Sequence, residues 1–256
     1  MPTISISIVS HLQAPLLKKL LDDLNRCCKT YPLELLLTLN LPEELNFNTN
    51  DFRFPVTVIV NLAPRGFGEN HNLAFKRSSG QLFCVMNPDI RLDEEVFADL
   101  QACLQDPAVG VAAPVVVSAG GSMEDSARKF PTPLRILCKA FGGCWNSDYV
   151  VKGETVFPDW VAGMFMLFRR EVFEKLGGFD ERYFLYYEDV NLCARLCLQG
   201  YKVALCPAAK VVHHAHRSSH RNLKYLFWHL TSMLRYFLSL PFLKICLRKI
   251  TKAMVK

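Results

Sequence analysis

An α/β fold, with a mostly parallel central sheet and helices on both faces, is predicted by three features of this sequence. Strand-like and helix-like segments alternate along most of the chain. The strand segments are apolar throughout, as in sheets buried on both faces. Half of the residues are hydrophobic and 21% are charged, a globular composition that excludes a disordered chain. At 256 residues the chain holds one well-cored domain, or at most two small ones. We expect a main domain over residues 1–220 and an extension of basic amphipathic helices over 221–256.

The elements follow in order. Residues 4–10 (ISISIVS) form a β-rich run, and Leu16, Leu17, Leu20, Leu21 and Leu24 recur at helical spacing over about 14–28. Residues 33–39 and 56–60 read as strands. A Gly- and Asn-rich turn, NLAPRGFGENHN (61–72), leads into a short helix to Ser79 and a strand over 82–86. Helix 93–105 and strand 109–117 come next. Residues 118–158, broken by Gly120, Gly121, Pro131, Pro133, Gly142 and Gly143, read as a mobile loop region over a cleft. Beyond it lie strand 161–168, a short helix ending at Gly177 and Gly178, an aromatic loop, a helix over about 189–199, and strands 202–206 and 210–213. Val190, Cys193, Cys197 and Leu198 stripe the later helix.

The ten cysteines are scattered, mostly inside apolar runs, as Cys84, Cys103, Cys193, Cys197 and Cys206 are. They read as buried free thiols in a reducing compartment. Cys193 and Cys197, four apart, either pack or hold a metal, and the lack of a nearby second ligand pair favours packing. The start, MPTISISIVS, shows no secretory leader, and no run of 18 apolar residues occurs. A cytoplasmic protein without a transmembrane helix is expected. Charge is asymmetric: residues 1–189 carry 18 Lys and Arg against 24 Asp and Glu, whereas residues 190–256 carry 12 Lys and Arg and no acid. An anionic partner is expected at that end.

Three constellations carry chemistry. Asn87-Pro88-Asp89 follows the strand at 82–86, where ligands of open α/β sheets collect. Asp89 there is either a cation ligand or the cap of the next helix. Glu188 and Asp189 open a helix, so they are either a capping pair or, beside Phe179, Tyr183, Phe184, Tyr186 and Tyr187, part of a sugar site. In KVVHHAHRSSHR, the four histidines fit no zinc pattern, while Arg217 and Arg221 suit a diphosphate. One histidine at the end of strand 210–213 would complete an Asp89 metal site.

The ordered blocks NLAPRGFGENHNLA, NPD, GMFMLFRREVFEKLGGFDERYFLYYEDVNLCARLCLQG and CPAAKVVHHAHRSS resemble the family 2 glycosyltransferases, inverting nucleotide-sugar enzymes of GT-A fold. Their wording is most like bacterial rhamnosyltransferases of surface-polysaccharide assembly. The resemblance implies a divalent cation, Mg2+ or Mn2+, held by Asp89 and His213, and a catalytic base at Asp189 with Glu188 beside it. Donor contacts would come from Ser10, His11, Asn40, Gly66, Asn72, Asn87, Arg217 and Arg221, and acceptor contacts from Trp160, Gly163 and Asp180. Three positions depart from the family: Ser10-His11 replaces Tyr-Asn, Leu39-Asn40 replaces Asp-Asn, and Asn191 replaces a second Asp. The implied reaction is a single displacement, with dTDP-rhamnose, then a UDP-hexose, as donor and a lipid-linked glycan as acceptor.

Residues 222–256 are apolar but interrupted by Lys224, His229 and Arg235 and split by Pro241. A central arginine costs about 2.5–3.5 kcal/mol in a spanning helix, so this segment reads as lying on a surface. Trp228, Phe227 and Phe237 with Lys244, Arg248, Lys249, Lys252 and Lys256 suit an anionic leaflet, the inner face of the cell membrane, or the apolar side covers the sheet. No nucleic-acid-binding motif is present, and a homodimer stays open. The rival to an enzyme is a catalytically silent homologue that scaffolds a membrane-bound assembly complex.

Overall fold

The computed structural model describes residues 1–140, 147–214 and 223–254. Its first half runs β1 (Ile4–Ser10), α1 (Ala14–Cys27), β2 (Leu33–Leu39), β3 (Val56–Val60), α2 (Phe67–Arg77), β4 (Leu82–Met86), β5 (Ile90–Arg91), α3 (Phe97–Cys103) and β6 (Val109–Ser118). There follow β7 (Ala127–Arg128), α4 (Pro133–Ala140), β8 (Trp160–Val161), β9 (Phe165–Arg169), α5 (Arg170–Leu176), α6 (Glu188–Leu198), β10 (Lys202–His213), α7 (Leu223–Phe237) and α8 (Leu240–Met254).

Eight strands make one sheet in the order β3-β2-β1-β4-β9-β6-β10-β5. The β3-β2-β1-β4 stretch and the β6-β10 pair are parallel, as apolar strands joined through helices require. β9 enters antiparallel between β4 and β6, and β5 runs antiparallel to β10. The direction of β9 has a consequence for the site. It begins where β4 ends, with Phe165 paired to Met86, so the turn before β9 lies beside the segment after β4.

Period-two alternation divides β4 between two cores. Leu82, Cys84 and Met86 join Ile4, Ile6 and Ile8 of β1 against α1 and α3. Phe83 and Val85 face the other way, against Phe173 of α5 and Leu192 and Leu196 of α6. Each such apolar side chain contributes about 1.5–3 kcal/mol when fully buried. α5 stops at Gly177 and Gly178, both in the left-handed region at φ 72° and 70°, as the paired glycines predict.

Several boundaries differ from expectation. The strand expected over 161–168 is two, β8 pairing with β7 and β9 entering the main sheet, with a turn between them. The strands expected at 202–206 and 210–213 are one, because a register shift between Cys206 and Lys210 takes up Pro207, which has no N–H for the ladder. α3 begins at Phe97 rather than 93, its first amide bonded to the Glu95 carboxylate at 3.0 Å. The region expected to be loop contains β7 and α4; residues 141–146 lie outside the described residues. Cys103 and Cys206, expected as free thiols, are joined as a disulfide, their Cα atoms 6.7 Å apart. α3 packs against β10, bringing together two residues 103 positions apart.

No single described helix is long and apolar enough to cross a membrane, whereas α7 and α8 up to Arg248, bent by 54°, are so only as a pair. Both helices dock on the main domain. Ser232, Tyr236 and Ile245 are buried, and Arg248 donates to the carbonyls of Cys197 and Leu198 at the end of α6. Their other faces stay exposed, with Leu223, Leu226, Phe227, Leu230 and Leu234 on α7 and Leu240, Leu243, Leu247 and Ile250 on α8.

Candidate active site

β5 pairs with β10 so that Ile90 faces His213, and the amide of His214 donates to the carbonyl of Asp89 at 2.9 Å. This register sets His213 Nε2 3.2 Å from Asp89 Oδ2. His213 Nδ1 lies 2.8 Å from Glu124 Oε2. Glu124 arrives because β6 turns back at Gly120-Gly121, with Gly121 at φ 79°, and the Glu124 amide bonds to Val116 O at 2.8 Å. A buried anchor steadies the segment. Asp23 of α1 accepts from Arg91 Nε, Arg91 Nη2 and the Leu92 amide. Against the cost of burial, Arg91 and these bonds hold the Asp23 carboxyl below its usual range.

The group fits a divalent cation. Asp89 Oδ1 is buried and has no partner, while its other oxygen shares one point with an imidazole nitrogen. Glu124 orients the far side of that imidazole, as a carboxylate behind a metal-bound histidine does. The hydrogen bond that His213 donates to Asp89, aided by Glu124 against burial, pushes His213 up to about 9, so the pocket favours positive charge. No group of three or more His, Cys, Asp or Glu among the described residues could cage a metal alone. Such an ion would need further oxygen ligands from outside the described residues.

Across the turn before β9 stands Asp189. Its Oδ2 accepts from the Gly163 amide at 3.0 Å and its Oδ1 from the Val190 amide at 2.7 Å. Asn87, two residues before Asp89, donates its amide to Met164 O at 2.9 Å. The 163–164 turn therefore holds both Asp189 and the segment that carries Asp89. Burial raises the Asp189 carboxyl above its ordinary range, opposed by the amides of Gly163 and Val190. Glu188 is buried, its Oε2 has no partner, and burial together with Asp189 raises it well above the usual carboxylate range. The tyrosines before them, Tyr186 and Tyr187, both lie in the left-handed region at φ 70° and 65°.

The residues expected to meet the donor divide in two. Ser10 donates to Glu43 and accepts from the Gln13 amide, and Asn40 accepts from the Arg65 amide at 2.8 Å and from Asn61 Nδ2 at 2.9 Å. Asn61 also donates to Asn70, so a buried amide network shapes the loop at the ends of β1, β2 and β3. His11 is exposed beside it, its Nδ1 3.5 Å from Asn40 Nδ2. At Gly66 a Cβ would stand 2.9 Å from Phe184 O, so glycine is required by the close approach of the aromatic loop. Asn72 is a correction: its amide donates to Phe179 O and Glu181 Oε1 and accepts from the Phe179 amide, which leaves no free donor for a ligand. Arg217 and Arg221 lie outside the described residues, as do His216 and His220.

Beside Asp189 opens a cavity of about 830 Å³ lined by Trp160, Met164, Tyr187, Glu188 and Asp189. Trp160 donates its indole N–H to Lys129 O at 3.1 Å, and Arg128 lies over its ring at 5.6 Å. His229, exposed on α7, lines the opposite wall with its ring against Tyr186 and Tyr187. Asp180, expected near the acceptor, is instead chelated by Arg182, which holds its carboxyl down against the cost of burial. Glu124, Arg128 and His229 carry no sequence signal of a role in the site. The first two fall in a stretch without periodicity, and the third is one polar residue in an apolar helix.

The sheet order is that of the GT-A fold of nucleotide-sugar glycosyltransferases. The solved structure of GalNAc-T7 with UDP, GalNAc and Mn2+ superposes with a TM-score of 0.66 at 16% identity, over 87% of this chain and 45% of that one. The mannosyltransferase PcManGT from Pyrobaculum calidifontis, in complex with GDP-Man and Mn2+, gives 0.61 at 19% identity, over 91% and 64%. The chain belongs to glycosyl transferase family group 2, whose model matches residues 82–250. It is similar to the rhamnosyltransferase WbbL of Escherichia coli (strain K12), 28% identical over 245 residues, 90% of this chain and 91% of that protein. It is also similar to the N-acetylglucosaminyl-diphospho-decaprenol L-rhamnosyltransferase of Mycobacterium tuberculosis (strain ATCC 25618 / H37Rv), 32% identical over 190 residues, 64% and 61% of the two chains.

Proposed function

We propose that this chain is an inverting hexosyltransferase of surface-polysaccharide synthesis, moving rhamnose from dTDP-rhamnose to a hydroxyl of a lipid-linked glycan. The observation that carries this reading is that the 163–164 turn bonds Asp189 through Gly163 and, through Met164, the Asn87-Pro88-Asp89 segment whose Asp89 keeps a buried, partnerless oxygen. The similarity to rhamnosyltransferases supports the choice of sugar.

Asp189 serves as base. It accepts the proton of the acceptor hydroxyl as that oxygen bonds to the anomeric carbon, and the bond from that carbon to the diphosphate oxygen breaks, releasing the nucleoside diphosphate. A carboxyl raised by burial is a stronger base than an exposed aspartate, which suits it to an alcohol proton. The two amides on Asp189 fix its orientation, so positioning supplies part of the rate. A divalent cation at Asp89 and His213 would supply Lewis-acid stabilisation of the departing diphosphate.

The exposed leucines of α7 and α8, with Lys224, Arg235, Lys244 and Arg248 exposed among them, support peripheral docking on an anionic leaflet. Pelleting with phosphatidylglycerol vesicles, and not with neutral ones, is the expected result. The enzymatic reading is tested by incubating the purified chain with dTDP-rhamnose and Mn2+ or Mg2+. Donor consumption that stops in EDTA supports it. A chain that binds but consumes neither dTDP-rhamnose nor UDP-hexoses would be the silent scaffold.

A further inference from the structure

The cavity beside Asp189 lies between two helices that both expose leucines. Arg135 and Ile136 of α4 line one side, and Tyr225, Leu226 and His229 of α7 line the other. Their neighbours turn outward: Leu134 is 70% exposed and Leu137 54% on α4, and Leu223 is 82% and Leu230 48% on α7. Apolar side chains that flank a mixed apolar and charged cavity from two separate elements mark a place where an apolar chain arrives. A soluble sugar would gain nothing from them.

The cavity also gathers cations. Arg128, Lys129 and Arg135 line it. Arg135 pairs with Asp148, and Arg128 with Asp125 at 2.9 Å, while the Lys129 ammonium has no acidic partner among the described residues. The facing acids are Asp148, Glu188 and Asp189. Glu188, buried and raised well above the usual carboxylate range, adds little negative charge. Guanidinium and ammonium groups converging in a half-closed cavity suit phosphate oxygens.

Resting on the transferase reading above, we propose that this cavity is a lipid-diphosphate subsite. Arg128, Lys129 and Arg135 hold the diphosphate of the acceptor, and Leu134, Leu137, Leu226 and Leu230 receive the first carbons of its lipid. The attached sugar then projects its hydroxyl toward Asp189. α4 thus becomes a second lipid-facing element beside α7.

The probe is farnesyl diphosphate, titrated against the full chain by calorimetry in EDTA so that diphosphate does not lodge with a cation at Asp89. Farnesyl diphosphate is expected to bind at least tenfold more tightly than either farnesol or inorganic diphosphate. Lys129→Glu is expected to weaken it tenfold or more, and the double substitution Leu134→Glu with Leu137→Glu about fivefold. All three positions are solvent-exposed, so the variants keep the fold. Farnesol binding as tightly as farnesyl diphosphate, or Lys129→Glu binding as tightly as the native chain, overturns the subsite. Donor consumption is measured separately: a chain that consumes donor but ignores farnesyl diphosphate overturns the subsite alone. A chain that binds farnesyl diphosphate but never consumes donor supports the subsite and removes the enzyme.

Discussion

β4 and α7 are both strongly apolar in sequence, and the molecule treats them oppositely. All five residues of β4 are buried, shared between two cores. α7 buries Ser232 and Tyr236 and leaves Leu223, Leu226, Phe227, Leu230 and Leu234 in solvent. The strand's hydrophobicity is consumed in making the sheet whose ends hold Asp89. The helix's hydrophobicity remains available to something outside the chain. Apolar content alone therefore does not reveal which residues stabilise and which recruit; the number of neighbours each face can find decides it.

The candidate site sits at the seam of these two regions, and its base gives the largest expected effect. Asp189→Asn should cut turnover by about 10²–10⁴-fold, the usual worth of a general base, while thermal shift still reports donor binding. Its raised carboxyl also sets the acid limb of the pH profile: kcat/KM should fall as pH drops through a value above the ordinary aspartate range. An acid limb in the ordinary range would detach Asp189 from the base role.

Stability should separate the regions cleanly. Phe83→Ala is expected to cost about 3–5 kcal/mol in urea denaturation. Leu230→Ala on the exposed face of α7 should stay within about 0.5 kcal/mol and lower vesicle pelleting instead. Equal losses for the two would erase the contrast. At the sheet end, Glu124→Gln should weaken Mn2+ affinity about 10–100-fold through the orientation of His213, read as the Mn2+ concentration needed for donor binding.

The smallest effect concerns Glu188. Its carboxyl is raised in the folded protein, so folding favours the protonated form. The stabilisation is complete below the unfolded value near 4.5 and is lost as pH rises through the folded value. Glu188→Gln should accordingly gain stability relative to the native chain on going from pH 5 to pH 8, read as a pH-dependent difference in urea midpoint. A stability difference that does not change with pH would show that the carboxyl is solvated.

Much of the sheet was legible because its strands are uniformly apolar and bounded by turn residues, as with β1, β2 and β4. Pro207 hides the continuity of β10, since a proline ends a strand locally unless a bulge absorbs it, and only the partner strand reveals the bulge. Asp89, Asp189 and His213 were legible as residue types at strand and helix ends. Their convergence depends on β9 running backwards and on β5 crossing to β10, pairings with no local signature. Glu124 is placed by a hairpin at Gly120-Gly121 that looked like mere interruption. An asparagine in a Gly-rich turn has one sequence signature whether it binds substrate or backbone, and Asn72 binds backbone.

Tyr186 and Tyr187 carry one last implication. Two successive side-chain-bearing residues in left-handed geometry cost about 1–2 kcal/mol each, and something must hold them there. The holders are on α7: His229 against both rings, Tyr236 against Tyr187, and Ser232 donating to Leu185 O. The helical tail thus acts as a clamp on a sprung joint immediately ahead of the proton acceptor. Cutting the chain before Leu223 would release the joint, so the truncated protein should lose chemistry even toward a water-soluble acceptor, where an anchor alone would be dispensable.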